Sequence, residues 1–154
     1  MHHELRRTER GMTEPEARKL LERGEYGILS TCGPDGQPYG IPLSYCVVGD
    51  ALYFHCAVEG RKLENIAADD RVSFCVVGPT EVLPDQFSTR YESVIISGRA
   101  REVFDREKQL ALEGFVAKYS TGFRAEGLEY IAAKSERARV FRVGIDSICG
   151  KSRR

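Results

Sequence analysis

Most of the common signatures of chemistry are missing from this chain, and each absence narrows the field. Its 154 residues carry 23 basic and 23 acidic side chains, so it lacks the cationic excess that marks a nucleic-acid binder. No apolar run approaches the ~20 residues a membrane-spanning helix needs. The opening Met1-His2-His3-Glu4-Leu5-Arg6-Arg7 is too polar for a secretory signal. A soluble, cytoplasmic protein without nucleic-acid or membrane partners is the expectation.

The five cysteines, Cys32, Cys46, Cys56, Cys75 and Cys149, are odd in number and include no C-x-x-C pair. That spacing supports neither a disulfide framework nor a structural zinc site. They read as small buried hydrophobes. No G-x-G-x-x-G follows a strand, so there is no nicotinamide-binding Rossmann unit. Gly150-Lys151-Ser152 imitates the end of a P-loop, but the glycine that motif requires at position 145 is Ile145, and no helix follows. Asp69-Asp70 reads as a turn because a metal site needs further carboxylates. No serine or cysteine sits in a nucleophile elbow.

What is present suits one domain spanning residues 1–154, long enough to bury a single core. Thr13-Glu14-Pro15-Glu16 starts a helix with a capping box, and proline is tolerated in its first turn. Ala17, Leu20 and Leu21 form its inner face, and Gly24 is a plausible stop. From Tyr26 the pattern becomes extended: a strand to Cys32, a turn, a second strand over residues 37–48, a Gly49-Asp50 hairpin signal and a third strand, 51–56. These three strands read as a meander. A short helix follows at 61–68, then strands at 71–77 and about 91–103, with an irregular stretch at 78–89. Asp105 can cap a helix whose Leu112, Phe115, Val116 and Tyr119 share one face. A second helix over 125–133 and a last strand over 138–148 complete about six strands with added helices. That order predicts an antiparallel barrel or sandwich, not a doubly wound sheet.

Charge, backbone geometry and a titratable group converge on one segment. Tyr53-Phe54-His55 leads through Val58-Glu59 into Gly60-Arg61-Lys62 and a helix start, and His55 is the only histidine beyond the extreme N-terminus. Exposed amides at a helix start, reinforced by Arg or Lys, suit a phosphate. Alternation turns Leu52, Phe54 and Cys56 toward a core, with Tyr53, His55 and Ala57 on the opposite face. There the small Ala57 leaves room for a flat ligand. His55 is read either as a surface histidine or as a ligand-facing one, and Gly60-Arg61-Lys62 either as a solvated helix start or as an anion site. Their adjacency favours a ligand touching both. Pro38-Tyr39-Gly40-Ile41-Pro42 carries two prolines and a glycine within a strand, which places it at an edge or bulge. That irregularity serves an edge or a close ligand equally well.

These residues carry a resemblance over nearly the whole chain. Arg6-Arg7, Arg10 and Met12, Pro38-Tyr39 with Pro42-Leu43-Ser44-Tyr45, Leu52-Tyr53-Phe54-His55-Cys56-Ala57 with Gly60-Arg61-Lys62, Phe87 with Thr89-Arg90-Tyr91-Glu92-Ser93-Val94, and Ile148-Cys149-Gly150-Lys151 form the matching motifs. Together they resemble the nitroimidazole-resistance branch of the pyridoxamine 5′-phosphate oxidase-like flavoproteins. The resemblance implies a mainly β fold with flanking helices, an antiparallel Greek-key split β-barrel that binds FMN at a homodimer interface. It also implies that Leu43, Ser44, His55 and Ala57 line the flavin, that Arg61 and Lys62 hold its phosphate, and that Ser93 and Lys151 lie in cofactor motifs. His55 inherits the catalytic role. Cys149 departs from the threonine more common there. An imidazole with an ordinary pKa of about 6.5 offers a proton or hydrogen bond to a group under reduction, and its protonated form would stabilise a nitro group gaining charge.

Three functions follow as expectations. One is an FMN-dependent oxidoreductase acting on nitroaromatic (5-nitroimidazole-like) or similarly electron-poor compounds. The alternative is a non-catalytic module of the same fold that carries flavin or heme. The third is a purely structural dimeric barrel.

Overall fold

The capping box at Thr13 opens the first helix as its residues dictate. In the computed structural model, which describes residues 4–154, the Glu16 amide donates to Thr13 Oγ1 at 3.4 Å and the Thr13 amide donates to Glu16 Oε2 at 2.9 Å. The expectation for Met1-His2-His3 lies outside the described residues. Helix α1 (Glu14–Arg23) buries Ala17, Leu20 and Leu21 against the sheet. Gly24 ends it for a different reason than a left-handed cap. Its backbone is extended, and a Cβ there would stand 2.4 Å from both Tyr45 Oη and Val76 Cγ1. Close packing requires this glycine, not backbone freedom.

Among the described residues nine strands form one continuous sheet: β1 (Gly27–Cys32), β2 (Pro38–Leu43), β3 (Cys46–Val48), β4 (Ala51–Cys56), β5 (Arg71–Val77), β6 (Glu81–Leu83), β7 (Ser88–Val103), β8 (Arg139–Gly144) and β9 (Ser147–Arg153). The strand order is β2-β1-β5-β7-β8-β4-β3, with β6 and β9 also paired to β7. Every pairing is antiparallel. The 16-residue β7 belongs to both halves: its first part pairs with β5 and β9, and its last four residues pair with β8. This is the mainly β, flanking-helix, split-barrel architecture. Gly98 lies just before the switch. A Cβ there would stand 1.7 Å from the Gly144 carbonyl oxygen, so no side chain fits where the two halves meet.

Two strand expectations are corrected. The single strand over residues 37–48 is two strands on opposite edges of the sheet, so no three-stranded meander exists. β2 pairs with β1 from Gly27↔Leu43 to Cys32↔Pro38, and its prolines sit on an edge as their missing donors require. The chain then crosses at Ser44-Tyr45 into the β3–β4 hairpin. Both flanks of the crossing are apolar, so alternation runs through it without a sign. Backbone groups at the crossing find partners on the helix α3 (Asp105–Tyr119): the Tyr45 amide donates to Tyr119 Oη at 3.1 Å and Lys118 Nζ donates to the Tyr45 carbonyl at 3.0 Å. The strand expected over 138–148 is likewise two, β8 and β9, hinged at Ile145-Asp146, where the Asp146 amide donates to the Ser97 carbonyl at 2.9 Å. Gly150-Lys151-Ser152 lies within β9, which excludes a phosphate loop there. The stretch at 78–89 contains β6 and a tight turn before β7.

Helix α2 (Arg61–Ala68) and helix α4 (Arg124–Lys134) match their expected positions. Asp105 makes no capping bond. It has φ 51° at the first residue of α3, after an extended Phe104. The main core joins α1 to the inner faces of both sheet halves, including Leu29, Leu52, Phe54, Phe74, Ile96 and Phe141. A second, smaller cluster lies under α3 around Tyr53, Val103, Ala111, Phe115 and Val140. All five cysteines are free. Cys46 and Cys56 are buried as expected, and burial pushes the Cys46 thiol up to about 12. Cys32, Cys75 and Cys149 are only half-buried, because they lie on the outer face of their strands. Among the described residues no helix is long and apolar enough to cross a membrane, and no cluster of His, Cys, Asp and Glu could hold a metal.

Candidate functional site

Strand β4 delivers its side chains by alternation. Leu52, Phe54 and Cys56 enter the main core, with Phe54 stacked on Phe141 at 5.4 Å between ring centroids. Tyr53 is not beside an open ligand face, as expected, but buried under α3, with its hydroxyl 3.0 Å from Glu107 Oε1. The second cluster claims it because α3 packs across this face. His55 emerges at the rim of that cluster, exposed, with its ring edge-on to Phe115 at 4.6 Å. Partial burial, and then the Lys62 ammonium, hold the His55 pKa below its ordinary 6.5. That direction favours the neutral imidazole at neutral pH, a ring with one N–H donor and one free lone pair.

The turn after β4 is shaped for close approach. Ala57 and Gly60 are exposed, Gly60 adopts φ 147°, and a Cβ on it would meet no atom within 4 Å. The Leu63 and Glu64 amides donate to the Gly60 carbonyl, leaving the Arg61 and Lys62 amides as the open end of α2. Arg61 lays its guanidinium 4.5 Å from the centre of the Tyr39 ring on β2, and Arg139 Nη1 reaches the Val58 carbonyl at 3.5 Å. The β2 edge, the loop and α2 are thus tied together.

The remaining expected residues divide. Ser44, exposed at the crossover, lines one cavity of about 610 Å³ with His55. Leu43 packs part of its side chain against the main core. Ser93 and Lys151 face each other across β7 and β9, in the other half of the sheet, where Lys151 Nζ lies 5.9 Å from the Tyr91 ring centre. Among the described residues neither shares a hydrogen bond, ion pair or ring contact with His55, Arg61 or Lys62. The opening motif does meet the closing one: the Met12 amide donates to the Gly150 carbonyl at 3.0 Å, and Gly11 bridges to Lys151.

The model of the pyridoxamine 5′-phosphate oxidase family matches residues 13–152, nearly the whole sheet and every helix. The chain belongs to that family. A curated relative in Rhizobium meliloti, itself uncharacterised, is 26% identical over 94 residues, and the match spans 57% of that relative's length and 61% of this chain. Among solved structures, an FAD-binding protein from Mesorhizobium loti is 25% identical, with a TM-score of 0.66 over 94% of this chain and 98% of its own. A candidate 5-nitroimidazole antibiotic resistance protein from Bacteroides thetaiotaomicron shares the fold at 19% identity and a TM-score of 0.75, over 92% of this chain and 86% of its own. An FAD- and heme-binding protein from Mycobacterium smegmatis does so at 20% and 0.75, over 91% and 71%. The fold of this family member is therefore one that other chains use to hold flavin or heme.

Sequence reasoning missed the far wall of the His55 cavity. In the sequence Phe115 and Tyr119 only share a helix face with Leu112 and Val116, and Ile131, Lys134 and Arg137 carry no signal. Only the packing of α3 against α4 shows that they share a hollow with His55. No periodicity carries that signal.

Proposed function

We propose that this protein is a homodimeric flavoprotein oxidoreductase that holds FMN along the β4–α2 edge and reduces small electron-poor aromatic compounds, nitroaromatics among them. The observation that carries the reading is the meeting of His55, Lys62 and the open start of α2 on one edge. Strand β4 ends at Cys56 and α2 begins at Arg61, so a phosphate at the helix start and a ring at the imidazole suit one ligand.

The residues present fit that group. Arg61 and Lys62 add charge to two unpartnered amides, the donor set a phosphate dianion takes. The empty space over Gly60 leaves backbone accessible. Bound FMN supplies the electron transfer itself. The chain supplies position: Arg61 and Lys62 anchor the anionic tail, Ser44 and Ala57 border the ring's seat, and α3 excludes water from one side of His55. The neutral imidazole donates its N–H to a substrate oxygen, and the polarity of that bond grows as the oxygen gains charge.

A second copy completes the reading. The outer face of β1, β5, β7 and β9 presents Ser30, Ser73, Ser97 and Ser147 in one row, and Ile28, Cys75, Ile95 and Cys149 in the next. Ile95 is 48% exposed on this face, and Phe87, on the β6–β7 turn, is 96% exposed. A sheet face with rows of small and apolar side chains, bordered by Arg71 and Arg99, suits a self-complementary interface. Ser93 and Lys151 lie on the same sheet half, so a partner rather than the same chain would bring them to the flavin.

The absorption spectrum of the purified protein, followed by FMN titration and sedimentation, tests this. Flavin bands bleached by dithionite and restored in air, in a dimer that reduces a nitroaromatic, are the expected result. Arg61→Ala/Lys62→Ala is expected to weaken FMN by at least about tenfold through loss of charge-assisted contacts. Colourless protein that takes up no flavin ends the proposal. A Soret band in its place would favour heme, with the His55 lone pair as its candidate ligand, the reading that the flavin- and heme-binding neighbour also allows.

A further inference from the structure

The cavity at His55 extends well beyond the edge assigned to FMN. It runs between α3, α4 and the end of β4, about 610 Å³ in all, within the range of small-molecule sites. Its floor is apolar and aromatic: Phe115 and Ile131 are buried, and Tyr119 and Tyr130 stand at the sides. Lys134 and Arg137 also line it, and no carboxylate does. Among the described residues neither cation takes part in an ion pair or a side-chain hydrogen bond. The Lys134 ammonium rests 5.3 Å from the centre of the Tyr130 ring, which holds it over the mouth. By contrast, Arg124 and Arg139 on the neighbouring elements pair with Glu113 and Glu102.

We infer that this cavity takes a flat aromatic compound carrying a negative charge, such as an aromatic carboxylate. Its ring would lie against Phe115 and Ile131, and its anionic group would meet Lys134 and Arg137. The inference rests on the proposed flavin reading for the cavity's role as a substrate seat, but not for its preference among ligands. Apolar walls provide affinity for a ring without selecting among rings. Two unpaired cations in the lining select for charge.

The test uses 4-nitrobenzoate and its uncharged analogue 4-nitrobenzamide as probes, with affinities measured by calorimetry on FMN-loaded and flavin-free protein. The acid is expected to bind at least about tenfold more tightly than the amide, a charge-assisted preference that weakens as salt is raised. Lys134→Gln/Arg137→Gln, both exposed positions, is expected to bring the two affinities together while leaving FMN content unchanged. Equal affinities in the wild-type protein overturn the inference, as does a preference that survives the double substitution. Displacement of 4-nitrobenzoate by FMN also overturns it, because the hollow would then be the flavin's own seat. A protein that takes up no flavin but shows the charge-dependent preference retires the oxidoreductase reading and keeps this one.

Discussion

Replacing Tyr119 by Phe removes one oxygen from the place where the chain leaves one sheet edge for the other. That oxygen accepts from the Tyr45 amide at 3.1 Å and lies 2.9 Å from the Tyr45 carbonyl and 2.6 Å from the Glu25 carbonyl, either of which can take its proton. The Tyr45 carbonyl keeps Lys118 Nζ at 3.0 Å, and Glu25 is exposed, so water replaces the loss there. Among the described residues the Tyr45 amide has no second partner, and its residue is fully buried. An unsatisfied buried donor costs about 1–3 kcal/mol, and partial access of water at the crossing favours the lower half. The ring stays in place, so its packing on Phe115, 6.2 Å away, is unchanged. We expect Tyr119→Phe to lose about 1–2 kcal/mol in urea titration at constant m, a fall in Tm of about 2–8 °C for a chain of this size. Ser44 adjoins the crossing, so under the proposed flavin reading the affinity for FMN should fall as well. A change within about 0.5 kcal/mol, the range of an ordinary surface substitution, refutes the idea that α3 staples this crossing.

Lys62→Gln removes the second cause of the lowered His55 pKa, so NMR titration should show that pKa rising, though still below 6.5 because partial burial remains; no movement would place the ammonium away from the ring. Because the folded pKa of His55 is depressed, the unfolded chain takes up its proton first. Stability should therefore fall as pH drops below 6.5 toward the folded value, with no dependence from this group above 6.5, and His55→Gln should flatten that slope in denaturation measured across the window. Gly98→Ala should cost at least about 3 kcal/mol, since its Cβ would press on the Gly144 backbone oxygen, which cannot rotate away. Gly40→Ala, whose nearest contact would be an ordinary 3.5 Å, is the control, and similar melting of the two variants would refute the close approach at Gly98.

The local pieces are legible in the residues alone. The Thr13–Glu16 capping box, the β4 alternation, the edge placement of Pro38 and Pro42 and the start of α2 at Arg61 all follow from short-range rules that the structure obeys. The motifs from Arg10 to Lys151 also carried the family. Alternation could not report the Ser44-Tyr45 crossing or the hinge at Ile145-Asp146, because each is only a two-residue break between strands while the backbone changes partner. Nor could it show that Tyr53 is buried, since that depends on α3, distant in sequence, lying across the strand. Tertiary structure alone placed Lys134 and Arg137 at the mouth of the hollow that opens on His55. Charge on an exposed helix end has no periodicity, and only the packing of α3 against α4 gives it something to face.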